Sequence, residues 1–596
     1  MKNIKNISIV AHINHGKSTL ATRLTEICKK IKKNTLNEQL LDSMDLEKER
    51  GITIKAQCLT LTYEFNEIIY TLNIIDTPGH IDFSFEVNRS LIACQGIVLL
   101  IDITKGIQAQ TLSNYKKALD NNLKTLIAIN KIDVIDHGLD ELKNEIVSIF
   151  NVKKVDIIEI SAKTGYGVEN LIKRVITTIN DPEGLESTEL EAIIIDAWFN
   201  QYTGINCLIN IKNGIISKND KILMISSKKI FKVIELGIFC PEKISKDNLK
   251  AGDIGFIIFG CKNLNEIKIG DTITHLFNQT KNTIHEIKKI NPSVYASIYP
   301  IISDNFTELK TSIEKLSLND SSFEYTIQNS NVFGFGFKCG FLGILHMEII
   351  QERLEREYNQ TIIITPPSVI FEVIYKNDKK AYINNPNDIT DISQIKEMRE
   401  PIAIVRIITQ IKYLGKVTEL CNNSRGKIKE INTRYEDTII EYEIPLNEII
   451  FNFFKKLQNI TSGFCSFDYE FLDYKTSNLT TLAIMINNKK IDALEFIIHK
   501  DNAYKTAKNI IEKMEKIIQK QLFEIKIQAV VGKKIIAKSS IKALKKNVLA
   551  KCYGGDISRK KKLIKKQKEG KKRLKKIGNI EIPQNAFLSI MNINNN

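Results

Sequence analysis

Residues Ala11-His12-Ile13-Asn14-His15-Gly16-Lys17-Ser18 follow directly on the apolar run Ile7-Ser8-Ile9-Val10. They match a phosphate-binding loop with Ala in place of the usual first Gly, set where a strand gives way to a helix. In such a loop, backbone N–H groups wrap a β-phosphate. The Lys17 ammonium meets the β- and γ-oxygens, and the Ser18 hydroxyl is offered to Mg²⁺. His12, Ile13, Asn14, His15, Gly16, Lys17, Ser18 and Thr19 are therefore the expected phosphate-binding residues.

Four further segments follow in order. Arg50-Gly51-Ile52-Thr53 presents a threonine that can reach Mg²⁺ from a mobile loop. Asp76-Thr77-Pro78-Gly79-His80 closes an apolar run with a carboxylate suited to the same metal. Gly79 there lets the backbone approach a γ-phosphate, and His80 stands where an attacking water is oriented. In Asn130-Lys131-Ile132-Asp133, the Asp133 carboxylate can accept both N1–H and N2–H of guanine, a pair adenine does not offer. Asn130 would add a contact to the base edge, and Lys131 would lie over the ring. Ser161-Ala162-Lys163 supplies a backbone N–H for guanine O6. Each segment is weak alone; five in this order specify guanine.

The elements that must carry them are equally readable. Leu72–Ile75, Leu126–Ile129 and Ile157–Ile160 are apolar runs that each end at a motif. Strand-like Gly96–Ile103 alternates with helix-like Gln110–Asn121, the rhythm of a parallel sheet covered on both faces, with ligands at the strands' carboxyl ends. No G-x-G-x-x-G follows the first strand, which excludes a dinucleotide-binding dehydrogenase.

The run A-H-I-N-H-G-K-S-T, the segment D-S-M-D-L-E-K-E-R-G-I-T-I from Asp42 and D-T-P-G-H from Asp76 resemble the translation-factor GTPases. Phe333–Arg356, Ser462–Glu470 and the tail from Asn547 (N-V-L-A-K-C-Y-G-G-D-I-S-R-K-K-K) are similar to the LepA (elongation factor 4) family. The likeness runs nearly end to end, and the tail separates the chain from the elongation factor G translocases and from BipA. It implies GTP and GDP as ligands and Mg²⁺ held by Ser18, Thr53 and Asp76. His80 would be catalytic, and Ile13 and Ile52 would form an apolar gate before it. A monovalent cation is an accessory. Position 14 is Asn where the family usually has Asp, which removes a charge beside the phosphates and predicts weaker cation-assisted turnover.

The implied fold is multidomain α/β and α+β. It comprises a P-loop GTPase domain (1–182), a β-barrel (188–276), two ferredoxin-like α+β domains (290–370 and 397–477) and a basic, family-specific C-terminal domain (480–596). Helices are expected at Thr307–Leu316 and Leu345–Glu357, tight turns at Gly334, Gly336, Gly340 and Gly343, and an exposed loop over Tyr375–Asp391. His346 reads as a packing residue, because Glu348 two positions on does not share its helix face, whereas Glu352 and Arg356 do pair.

The 596 residues carry a net charge of +16. Between Lys551 and Lys576 stand 13 Lys or Arg against two acids, interleaved with Tyr553, Gly554 and Gly555. Lys551, Arg559, Lys560, Lys561, Lys562, Lys571, Lys572 and Arg573 are the expected RNA contacts, and their binding should be salt-dependent. No apolar run is long enough to span a bilayer, the early start of the first strand gives the expectation of no targeting segment, and the ten cysteines include no C-x-x-C pair.

The resemblance implies a factor that is monomeric off the ribosome. It would bind the ribosome, ribosomal RNA and tRNA in its GTP form and promote back-translocation or rescue of stalled ribosomes. Its place would be the cytoplasm, with peripheral contact at the inner face of the membrane. An elongation-factor-G-like forward translocase, a GTP-gated membrane-surface protein and a non-catalytic GTP-binding scaffold stand as alternatives.

Overall fold

The computed structural model describes residues 3–29, 45–134, 138–200, 202–261, 266–280, 292–320, 322–330, 333–384, 386, 389, 394–434, 437–450, 453–521, 523–532, 534–544, 561, 562 and 565. Its first unit runs β1 (Ile4–Ala11), α1 (Lys17–Cys28), α2 (Asp45–Arg50), β2 (Gln57–Phe65), β3 (Ile68–Asp76), α3 (Ser84–Ile92), β4 (Gly96–Asp102), α4 (Ala109–Asp120), β5 (Lys124–Asn130), α5 (Leu139–Phe150), β6 (Ile158–Glu159) and α6 (Val168–Thr178).

These strands form one sheet in the order β2-β3-β1-β4-β5-β6, antiparallel only at β2. Strand β4 is buried along its whole length, as a central parallel strand covered on both faces must be. Alternate side chains serve opposite cores. Val98 and Leu100 pack with Leu20, Leu24 and Leu171; Ile97, Leu99 and Ile101 pack with Leu91, Ala118 and Ile146. With the sheet fixed from both sides, Ala11, Asp76, Asp102 and Asn130 sit at the carboxyl ends of neighbouring parallel strands.

Residues Glu191–His275 form an antiparallel eight-stranded sheet around a core that includes Ile194, Ile209 and Ile257. A β-α-β-β-α-β unit follows. It comprises the strand Val294–Pro300, α7 (Phe306–Asn319), the strands Glu324–Ser330 and Gly334–Phe341, α8 (Ile344–Arg356) and the strand Ile362–Ile364. Counted within the unit, its strands lie in the order second, third, first, fourth, which is the ferredoxin-like arrangement. The same order recurs in the strands Ile395–Gln410, Lys427–Arg434, Asp437–Pro445 and Cys465–Thr476. A four-stranded sheet between Leu479 and Ile541 follows, with the helix Ala503–Ile517 packed on it.

Two local expectations are corrected. Part of the segment expected as a loop over Tyr375–Asp391 is a hairpin, in which Lys380–Ile383 pairs with Phe371–Tyr375 at the edge of the second ferredoxin-like sheet. Of its outer strand only Ile383 is buried, so the composition reads as loop. Gly336 and Gly340 lie within a strand and not at turns. A Cβ on Gly336 would come within 2.6 Å of the Ile298 carbonyl oxygen, and one on Gly340 within 2.7 Å of Pro292.

Candidate nucleotide site

The Lys17 ammonium is the hub of the phosphate end. It lies 2.8 Å from Asp76 Oδ1 and donates to Thr53 Oγ1 at 2.7 Å, so one cation joins the P-loop to the two segments expected to hold the metal. All three residues are buried. Burial pushes the Asp76 carboxyl above its ordinary value, and Lys17 opposes that rise. Beyond this ion pair, neither carboxylate oxygen has a hydrogen-bond donor among the described residues. An orphaned buried carboxylate, joined through Lys17 to the Thr53 hydroxyl and with Ser18 next in the chain after Lys17, is an oxygen donor set that fits Mg²⁺.

The loop conformation is written in its backbone. Asn14 has φ +65° and Gly16 φ +91°. Asn tolerates the left-handed region, so Asn14 is conformationally at home there. At Gly16 a side chain is excluded as well as strained, because a Cβ would run into the Asn130 amide. Gly79 lies against the same loop; its Cβ would come 3.0 Å from the Ala11 carbonyl oxygen and 3.5 Å from the Ile13 nitrogen. The His12 ring is hydrogen-bonded to Gln110 on α4. Burial lowers its pKa to about 4 and that of His15 to about 3, so both rings are neutral.

The base end is held by side chains that brace one another. The Asn130 amide donates to the His15 carbonyl at 2.8 Å and accepts the Ala162 N–H at 2.9 Å, tying the P-loop to the Ser161-Ala162-Lys163 loop. These bracing contacts stand beside the base-edge contact expected of this residue. Lys131 Nζ lies 2.6 Å from Asp102 and donates to the Asn14 carbonyl at 2.8 Å, which leaves its stem for the ring. Ser161 Oγ donates to Asp133 Oδ1 at 2.6 Å, orienting that exposed carboxylate.

Sequence reasoning missed three residues here. Arg23 on α1 donates to the Ala162 and Lys163 carbonyls at 3.1 and 2.8 Å. Asp102 ends β4 as Asp76 ends β3, a signal that was available. Asp82 takes its role from contacts far along the chain.

His80 is largely enclosed, and burial lowers its pKa below the ordinary histidine value. Its Nδ1 accepts the Asp82 N–H at 3.1 Å, so the neutral ring carries its proton on Nε2. The Asp82 carboxylate in turn accepts the Leu345 N–H at 2.9 Å, at the start of α8. Phe83 and Ile349 pack with Leu46 and Ile54, and Ile52 and Leu345 close over them. Ile52 is therefore engaged with α8, and Ile13 is not in that cluster. Arg50 pairs with Glu348 at 3.4 Å and with Glu352, and Arg356 reaches Glu49 at 2.8 Å. His346 bonds Asp320 at 2.8 Å and not Glu348, consistent with a packing residue.

Of the basic segment, Lys561 and Lys562 are exposed on a helical turn. Lys551, Arg559, Lys560, Lys571, Lys572 and Arg573 lie outside the described residues. Among the described residues no helix is long and apolar enough to cross a membrane.

Comparison with known proteins gives this geometry a family. Residues 2–181 match the elongation factor Tu GTP-binding domain. Residues 397–484 match the elongation factor G C-terminus, and 486–592 match the C-terminus of the GTP-binding protein LepA. A crystal structure of a Thermus thermophilus protein shares the fold with TM-score 0.57 at 13% identity, covering 80% of this chain and 97% of its own. A Tu-type GTP-binding domain at one end and a LepA C-terminus at the other place the chain among the LepA-like translation-factor GTPases, enzymes that bind guanine nucleotide and hydrolyse GTP.

Proposed function

We propose that the chain binds the ribosome in its GTP form, hydrolyses GTP there with His80 orienting the water, and acts in back-translocation or in rescue of stalled ribosomes. The observation that carries this reading is the convergence of Lys17, Thr53 and Asp76 at the sheet edge where Gly79 and His80 follow. In this reading Lys17, the N–H groups of residues 13–19 and the Gly79 N–H hold the phosphates. Ser18, Thr53 and Asp76 would hold Mg²⁺, which when bound would supply positive charge against the phosphates. Neutral His80 with Nε2–H donates to the water oxygen and so orients the water without first taking its proton. Ile13 and Ile52 stand as the gate that keeps it away until docking.

Asp133 reads guanine N1 and N2. Because the Ala162 N–H is engaged by Asn130, O6 recognition falls to the Lys163 N–H. The basic segment around Lys561 and Lys562 is assigned to RNA, with tRNA as the natural ligand of a factor acting on translocation.

The test is GTP hydrolysis by the full chain with and without ribosomes, beside His80→Ala. Strong stimulation that vanishes in the variant supports the reading. Absence of stimulation, with guanine nucleotide still bound, overturns the ribosome-activated part.

A further inference from the structure

Helix α4 makes two sets of contacts that the nucleotide reading does not use. On one side Gln110, its second residue, is buried and its Oε1 accepts the Nδ1–H of His12, the first P-loop residue after β1. The His12 ring stands edge-on to His15 with centroids 5.2 Å apart, so the orientation of one ring constrains the other. On the other side the Ala109 N–H, an orphan donor of the helix N-terminus, bonds Ser466 Oγ at 2.8 Å. Ser466 belongs to the strand Cys465–Thr476 of the second ferredoxin-like sheet. Two residues on and on the same face, buried Asp468 bonds Ser113 and faces the Lys117 ammonium, both on α4. Thus a sheet some 350 residues downstream grips the helix that holds the P-loop histidine.

We infer that Gln110 is a positioning residue for the P-loop, and that Ser466 and Asp468, by fixing α4, set how tightly the guanine nucleotide is held. The inference rests on the P-loop binding that nucleotide. Its physical basis is angular. The loop's N–H groups must point at phosphate oxygens to hold them, and hydrogen bonds weaken steeply as they misalign. Releasing His12 from α4 frees the turn that aims those groups. Withdrawing Ser466 and Asp468 from α4 has a smaller effect through the same route.

The experiment is dissociation of a fluorescent GDP analogue from the full chain by stopped flow, with thermal unfolding of the nucleotide-free protein measured alongside. Gln110→Leu should release GDP on the order of tenfold faster, the scale of one lost buried hydrogen bond. Gln110→Glu keeps an acceptor for the His12 N–H and should release near the wild-type rate. Ser466→Ala with Asp468→Asn should accelerate release less than Gln110→Leu does. Combined with Gln110→Leu it should give less than the product of the two effects, because both act through α4. If the Asp468 variant does not fold, Lys117→Met breaks the same pair from the helix side.

Wild-type release in Gln110→Leu, equal acceleration in Gln110→Glu, or effects that multiply fully would each overturn the inference. Failure of the wild type to bind GDP would instead overturn the nucleotide reading beneath it.

Discussion

The Asp82 carboxylate accepts the backbone N–H of Leu345 at 2.9 Å, although 263 positions separate them. It serves as the N-terminal cap of α8 from outside that helix's own unit. It also accepts from the hydroxyl of half-buried Tyr469, whose pKa is pushed well above the ordinary tyrosine value by burial and by this carboxylate. Gly343 leaves the room, since a Cβ there would collide with the Asp82 side chain. Asp82 is thus the point where the segment after Gly79, α8 and the strand Cys465–Thr476 meet.

Asp82→Ala should cost about 1–2 kcal/mol, the usual worth of a lost helix cap, read as a lower urea midpoint. Because Asp82 also positions His80 through its own N–H, Asp82→Pro should additionally depress hydrolysis. Equal rates in the Ala and Pro variants would remove the backbone from the account.

Arg50 and Glu352 join the segment ahead of Thr53 to α8. Both are half-buried, so each single charge reversal should destabilise by about 1 kcal/mol or less. The swap Arg50→Glu with Glu352→Arg should recover much of that, although Glu348 and Arg356 next to Glu352 will penalise the exchanged charges. A double-mutant cycle on thermal unfolding gives the coupling; strict additivity would mean the pair contributes nothing.

Asp320 gives a pH signature. Burial alone would raise its pKa, but His346 and Ser322 outweigh this and hold it below the usual carboxylate range. A depressed folded-state pKa contributes stability that is present above the unfolded value and is lost as pH falls through the acid range. Asp320→Asn should therefore be less stable than wild type at neutral pH, by about 3 kcal/mol as for a broken buried pair. The gap should close on acidification below pH ~4. A gap independent of pH would assign the loss to packing.

Asn14 sits exposed at φ +65°, beside Gly51, whose Cβ would lie 3.9 Å from its Oδ1. Asn14→Asp restores a charge without disturbing a conformation that Asp also tolerates. Its expected effect is a steeper dependence of GTP turnover on potassium. A potassium titration that superimposes on the wild type would end that expectation.

The placement of the motifs was legible wherever one opened off an apolar strand. Lys17, Asp76 and Asp133 could be assigned because the run before each fixes a strand end, and strand ends in a parallel sheet gather on one edge. The two β-α-β-β-α-β units beginning at Val294 and at Ile395 were expected from the family resemblance, with the helices of the first legible as apolar-faced stretches, and their strand order agrees with that expectation. Residues that act through distant partners were not. Gln110 meets His12 across 98 positions, Arg23 meets Ala162 across 139, and Asp82 meets Leu345 across 263. No periodicity or spacing encodes such pairs. Asn130 joins them in part, because its identity pointed to the base but not to its bracing of His15 and Ala162.

The clasp between the nucleotide segments and α8 bears on how the protein is made. Leu46, Ile54 and Phe83 are synthesised early, yet Leu345 and Ile349, which cover them, belong to a helix that follows by some 260 residues. At ribosomal speeds that interval is on the order of tens of seconds. During it the nascent GTPase unit presents an uncovered apolar face. The cluster of Leu46, Ile54 and Phe83 is therefore expected to reach its full packing only after α8 has been made.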